Sequence, residues 1–162
     1  MQRFFEKIDY EEFKKYYGDN KELYDSYKLP TRATTCSAGY DFFAIKGFTI
    51  KPGEIKKIPT GYRSKFGSDE VLMIFVRGNV GFKYNVRLCN QVGIIETDYY
   101  GNPENGGHMF VALQNEGSED FVISAGTAYV QGVFTKFLMT DDDNVKEKRV
   151  GWLGSTNKKG ND

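Results

Sequence analysis

From Thr31 to Leu138 the chain is a succession of short apolar runs, each cut off by glycine, proline, asparagine or aspartate. That rhythm is the strongest constraint on its fold. Residues 40–44, 48–50, 54–59, 71–76, 86–89, 93–95, 108–115, 121–123 and 128–138 are rich in β-branched and aromatic side chains. Turn signals such as Lys51-Pro52-Gly53 and Glu116-Gly117 separate them. Short strands at this spacing predict an all-β sandwich or barrel.

The N-terminal segment reads differently. Tyr10, Phe13 and Tyr17 fall at i, i+3 and i+7, predicting a short amphipathic helix over 10–17 that packs on the body. Asp9 and Glu12 resemble an N-cap with its reciprocal acid, and Gly18 is placed to end the helix. A second helical turn is predicted over 21–27, before Pro30. The expected layout is a helical extension at 1–28, a β-barrel core at 29–140 and a C-terminal arm at 141–162.

Charge narrows the partners. Lysine plus arginine equal aspartate plus glutamate at 22 each, so no global field points to nucleic acid or a membrane surface. The opening MQRFFEKIDYEEF is too charged for a signal peptide, and the expected location is cytoplasmic. Cys36 and Cys89 are expected as free, buried or half-buried thiols. His108, the only histidine, is expected at a loop or strand edge and makes a Ser-His triad improbable. Asp141-Asp142-Asp143 lacks the spaced ligands of a calcium loop and reads as a solvated turn.

The densest chemistry lies between Arg77 and Tyr99, RGNVGFKYNVRLCNQVGIIETDY. Strands enter and leave a bend at Asn90-Gln91, and a carboxylate, Glu96, and a ring, Tyr99, follow closely. In Arg149–Thr156 a cation, glycines, hydroxyls and an aromatic are the parts of a phosphate-clamping flap.

Together with Leu29-Pro30-Thr31-Arg32-Ala33-Thr34 and Ser37-Ala38-Gly39-Tyr40-Asp41, these segments resemble the ordered motifs of the trimeric dUTPases. The resemblance runs from about Leu29 to Thr156. It implies a dUTPase-like β-barrel or jelly roll, a homotrimer with sites shared between subunits, and Mg2+ carried by a bound triphosphate with no direct protein ligand. The longer loop at 100–107 is similar to the variant of Firmicutes and their phages, which implies a bacterial or phage-infected cell. Family trimers also partner repressors, so a regulatory protein partner is implied too.

The site residues follow by position. Asn90, Gly93 and Ile95 stand in the segment that reads uracil, and Tyr99 in the place of the ring that stacks on deoxyribose. Glu96 occupies the position of the catalytic aspartate, the base on the attacking water. Arg77, Gly78, Asn79, Gln131, Arg149, Ser155 and Thr156 occupy phosphate-binding positions, Trp152 and Leu153 the lid, and Asp41 a supporting position near the arginines. Gly78, Glu96, Thr127 and Trp152 depart from the family pattern at phosphate and water positions. Their coincidence favours a protein that binds, and sequesters, a uridine-type or cyclic nucleotide with reduced hydrolysis. The alternative is an active magnesium-dependent dUTP pyrophosphohydrolase.

Overall fold

The computed structural model describes residues 2–151 and Gly154. In chain order its strands are β1 (Phe4–Lys7), β2 (Thr31–Arg32), β3 (Tyr40–Phe43), β4 (Phe48–Ile50), β5 (Ile55–Pro59) and β6 (Tyr62–Lys65). They continue as β7 (Glu70–Val76), β8 (Val86–Leu88), β9 (Gly93–Glu96), β10 (Phe110–Asn115), β11 (Phe121–Ile123) and β12 (Ala128–Lys136). The helices are α1 (Tyr10–Tyr17), α2 (Lys21–Ser26) and α3 (Gly78–Tyr84), and a 3-10 turn covers Thr97–Tyr99.

The sheets follow the order β2-β3-β12-β7-β9, β5-β10-β8, β11-β4 and β1-β6, and the pairings are antiparallel. Alternation explains the core on β7 and β10, and a register shift at the start of β12 lets two successive residues face inward. Leu72 and Ile74 of β7, Val111 and Leu113 of β10, and Tyr129 and Val130 of β12 are buried with Phe42, Ile50 and Leu88. Burying each such side chain stabilises the fold by about 1.5–3 kcal/mol. Truncating a central one such as Leu113 to alanine should cost about 2–5 kcal/mol.

The mostly-β reading holds, and α1 covers the residues its spacing predicts. Its cap does not. Asp9 makes no side-chain cap bond, because both its oxygens turn to Arg63 (3.1 and 3.2 Å). Glu12 is drawn inward to His108 and Lys15 instead of back to the helix start. Gly18 ends the helix at φ +78°, where its N–H still reaches Lys14 (3.0 Å). Asn20 caps α2 through Leu23 N–H (3.0 Å).

Further differences have local causes. β1 and β6 escaped the pattern because their outward residues are charged, yet they pair from Phe4↔Lys65 to Lys7↔Tyr62. α3 forms despite two glycines and is closed by Asn85 in the left-handed region (φ 53°). His108 does lie at a strand edge, just before β10, but it is fully buried. Both cysteines are free; Cys36, expected to be at least half-buried, is exposed, while Cys89 is half-buried. Among the described residues no helix is long and apolar enough to cross a membrane.

Candidate nucleotide site

The sheet order divides the expected site residues between the ends of β7. At its C-terminal end, Arg77 leads into α3 and its Nε lies 3.1 Å from Asp41 of β3. Gln131 of β12 pairs directly with Asp41, and its amide donates to the Val76 carbonyl (3.3 Å). Arg77, Asp41 and Gln131 thus form one polar cluster, with Gly78 and Asn79 exposed beside it. Gly39 keeps this cluster close: a Cβ there would lie 2.1 Å from the Gln131 side-chain oxygen.

At the other end, Glu96 pairs with Val71. Six residue steps separate that position from Arg77, about 20 Å at the usual rise. Glu96 is half exposed, and one oxygen accepts from Arg149 Nη2 at 2.5 Å. Asp98, which the sequence reading left without a role, accepts from the Arg149 backbone N–H (3.1 Å) and lies 3.6 Å from its Nε. That buried Nε has no hydrogen-bond partner among the described residues and faces the Asp98 carboxylate. The spacing of Asp98 two positions from Glu96 was the available signal.

Ile94, Ile95, Glu96, Tyr99, Met109, Phe110 and Arg149 line a small hollow of about 50 Å³. Tyr99 is buried and its hydroxyl donates to the His108 carbonyl (2.7 Å). Burial pushes this phenol up to about 12, so it stays a donor at neutral pH. Asn90 and Gly93 are not in the hollow. Asn90 sits exposed at the bend, whose backbone is pinned by Gln91 N–H to Leu88 (2.9 Å) and Val92 N–H to Asn90 (2.7 Å). The bend's strands belong to different sheets: β8 pairs with β10 and β9 with β7.

Of the departures, Gly78 has no atom within 4 Å of where a Cβ would stand. Thr127 lies exposed in a turn held by Gly126 N–H to Ala44 (2.7 Å) and Ala44 N–H to Thr127 (2.9 Å). It stands two residues before Tyr129, whose carbonyl accepts from Arg77 N–H (3.3 Å), and so borders the Arg77 end of β7. Trp152, Leu153, Ser155 and Thr156 lie outside the described residues.

Comparison with known proteins decides the family. The dUTPase family model matches residues 25–156. The chain belongs to the dUTPase family. It is 45% identical over 130 residues to the deoxyuridine 5'-triphosphate nucleotidohydrolase of Lactococcus lactis subsp. lactis (strain IL1403), covering 79% of this chain and 87% of that protein. The dUTPase from Streptococcus mutans is similar in structure, with a TM-score of 0.68 and 37% identity over 85% of this chain and 98% of that one. A Staphylococcus bacteriophage 80alpha dUTPase mutant, from a family member that controls transfer of virulence genes, has a TM-score of 0.64 at 14% identity, covering 90% and 97%. That last likeness is one of dUTPase fold.

Proposed function

We propose that the protein hydrolyses dUTP to dUMP and pyrophosphate, with Glu96 as the base on the attacking water. One observation carries this reading: the Glu96 carboxylate and the Tyr99 ring share a hollow with Arg149, in a chain 45% identical to a deoxyuridine nucleotidohydrolase. The preference for binding without hydrolysis is therefore reversed. It rested on four coincident departures, but Gly78 leaves room and Thr127 lies exposed in its turn. Neither removes a group from Arg77, Asp41 or Gln131.

In this reading the backbone at the bend, with Asn90, Gly93 and Ile95, reads uracil; unpaired groups would reject cytosine. Tyr99 packs under deoxyribose. Glu96 takes a proton from water as it attacks the α-phosphorus and pyrophosphate leaves. Arg77 and Gln131, supported by Asp41, hold phosphate oxygens beside Gly78 and Asn79, while Arg149 clamps the chain with Ser155 and Thr156. Trp152 and Leu153 form the lid.

Arg149 must then exchange Glu96 for phosphate. Glu96 is half exposed while Arg149 is largely buried, and a triphosphate brings more negative charge and more acceptor oxygens to the guanidinium than the single carboxylate it would displace. The donor set suits magnesium carried by substrate. Among the described residues no group of three or more metal-binding side chains gathers, and Mg2+ is commonly held by substrate phosphates and water with one or two carboxylates. When bound it would neutralise triphosphate charge.

The separation of Arg77 from Glu96 supports a site completed by other copies of the chain, as in a homotrimer. The test is pyrophosphate release from dUTP with magnesium, beside dCTP, dTTP and UTP. Turnover confined largely to dUTP is expected; absence of turnover with dUMP still bound would favour sequestration.

A further inference from the structure

Helix α1 lies outside the segment that the family model matches, 25–156, yet one of its side chains is built into the wall behind Tyr99. Glu12 is buried at the inner face of α1. Its Oε1 lies 3.1 Å from His108 Nδ1, and its other oxygen accepts from Lys15 (2.7 Å). Gly61 N–H donates to His108 Nε2 (3.0 Å), so Nε2 is the acceptor. The neutral ring therefore carries its proton on Nδ1 and donates it to Glu12.

The same residue's backbone fixes Tyr99. The Tyr99 hydroxyl donates to the His108 carbonyl (2.7 Å) and accepts from Asn105 Nδ2 (2.7 Å). His108 N–H in turn donates to the Asn105 carbonyl (3.2 Å). The His108 ring is wedged against Phe110, at 4.3 Å between centroids, and Tyr16 of α1, at 5.3 Å. Phe110 lines the hollow with Tyr99. The ring and peptide of His108 thus move together, and Glu12 holds the ring.

The geometry points to Glu12 and His108 as positioning residues that anchor Tyr99 and so set the preference for deoxyribose over ribose. This rests on the reading of Tyr99 as the sugar-facing ring. Rejecting a 2′-hydroxyl by contact needs the ring held tightly, since a shift of about one ångström opens the space an oxygen requires. A tyrosine fixed only by neighbours along its own loop could drift with that loop. Here its hydroxyl is referred to a helix more than eighty residues earlier in sequence.

The test uses the full chain and calorimetric affinities for dUMP and UMP, with melting temperature as the folding control. Glu12→Leu removes the acceptor, Glu12→Gln keeps one, and Tyr99→Phe keeps the ring but removes the tether. Glu12→Leu and Tyr99→Phe should each reduce the dUMP-to-UMP affinity ratio about tenfold. Glu12→Gln should stay within about twofold of wild type, and the double variant should be no worse than either single one. An unchanged ratio in a folded Glu12→Leu, equal loss in Glu12→Gln, or additive losses would overturn the inference. Should Glu12→Leu not fold, an unchanged ratio in Tyr99→Phe overturns it alone. A wild type that prefers dUMP but releases no pyrophosphate refutes only the hydrolase reading. A wild type without that preference refutes this inference, whatever its turnover.

Discussion

Arg77 and Glu96 lie beside opposite ends of β7: Arg77 follows Val76, its last residue, while Glu96 of β9 pairs with Val71 near its start. About 20 Å of strand lies between these positions, so a site that uses both is expected to draw them from different copies of the chain. Arg77→Ala and Glu96→Gln should each abolish most turnover, yet the co-expressed variants should recover about a quarter of the wild-type rate if subunits assort at random. Sedimentation should show a trimer. No recovery in a mixed assembly would place all the chemistry in a single chain.

Gly39 contributes no functional atom but leaves room for one. A Cβ 2.1 Å from the Gln131 side-chain oxygen forces that amide aside. Gly39→Ala should lower kcat/KM for dUTP by about ten- to a hundredfold, because phosphate position governs attack geometry. The melting temperature should fall much less than the activity. Undiminished kcat/KM would remove Gln131 from the phosphate site.

Gly78 offers the converse. Since the space around it is open, Gly78→Ser should leave stability within about 0.5 kcal/mol and add one hydrogen-bond donor for phosphate. A net hydrogen bond of about 0.5–1.5 kcal/mol corresponds to a KM lower by about two- to tenfold. Steady-state kinetics with dUTP would show it; an unchanged KM would mean that the phosphate chain passes elsewhere.

Much of the strand layout was legible, because apolar alternation and turn residues act locally. β4 and β11 match their expected limits, and it is the structure that brings Glu96, Tyr99 and Arg149, named from separate motifs, into one hollow. What escaped depends on distant partners. Lys7 and Glu6 hide β1 in a charged segment, although Glu6 pairs with Arg63 and hydrogen-bonds to Tyr100. Asp9 and Glu12 carried a local capping signal that Arg63 and the buried His108 override. The resemblance implied a site shared between subunits, but motif order is silent on which end of β7 each residue reaches.

His108 also makes a pH signature. Burial pushes its imidazole down to about 4, outweighing the nearby Glu12 carboxylate, which acts in the opposite direction. The ordinary unfolded value is near 6.5. Between those values the unfolded state binds more protons, so stability falls as pH drops from about 6.5 to about 4. The total loss from this group is roughly 3 kcal/mol. Urea unfolding across that range should show the slope, and His108→Asn should flatten it. An equal slope in that variant would assign the effect to the carboxylates.

The role of Glu96 is tested most directly by measuring kcat for dUTP with magnesium in the wild type and in Glu96→Gln, alongside dUMP affinity in both. The expected result is a turning-over wild type and a variant slower by about 10²–10⁴-fold, with dUMP affinity preserved. A wild type that binds dUMP without releasing pyrophosphate from dUTP, or a Glu96→Gln variant as fast as the wild type, would contradict it.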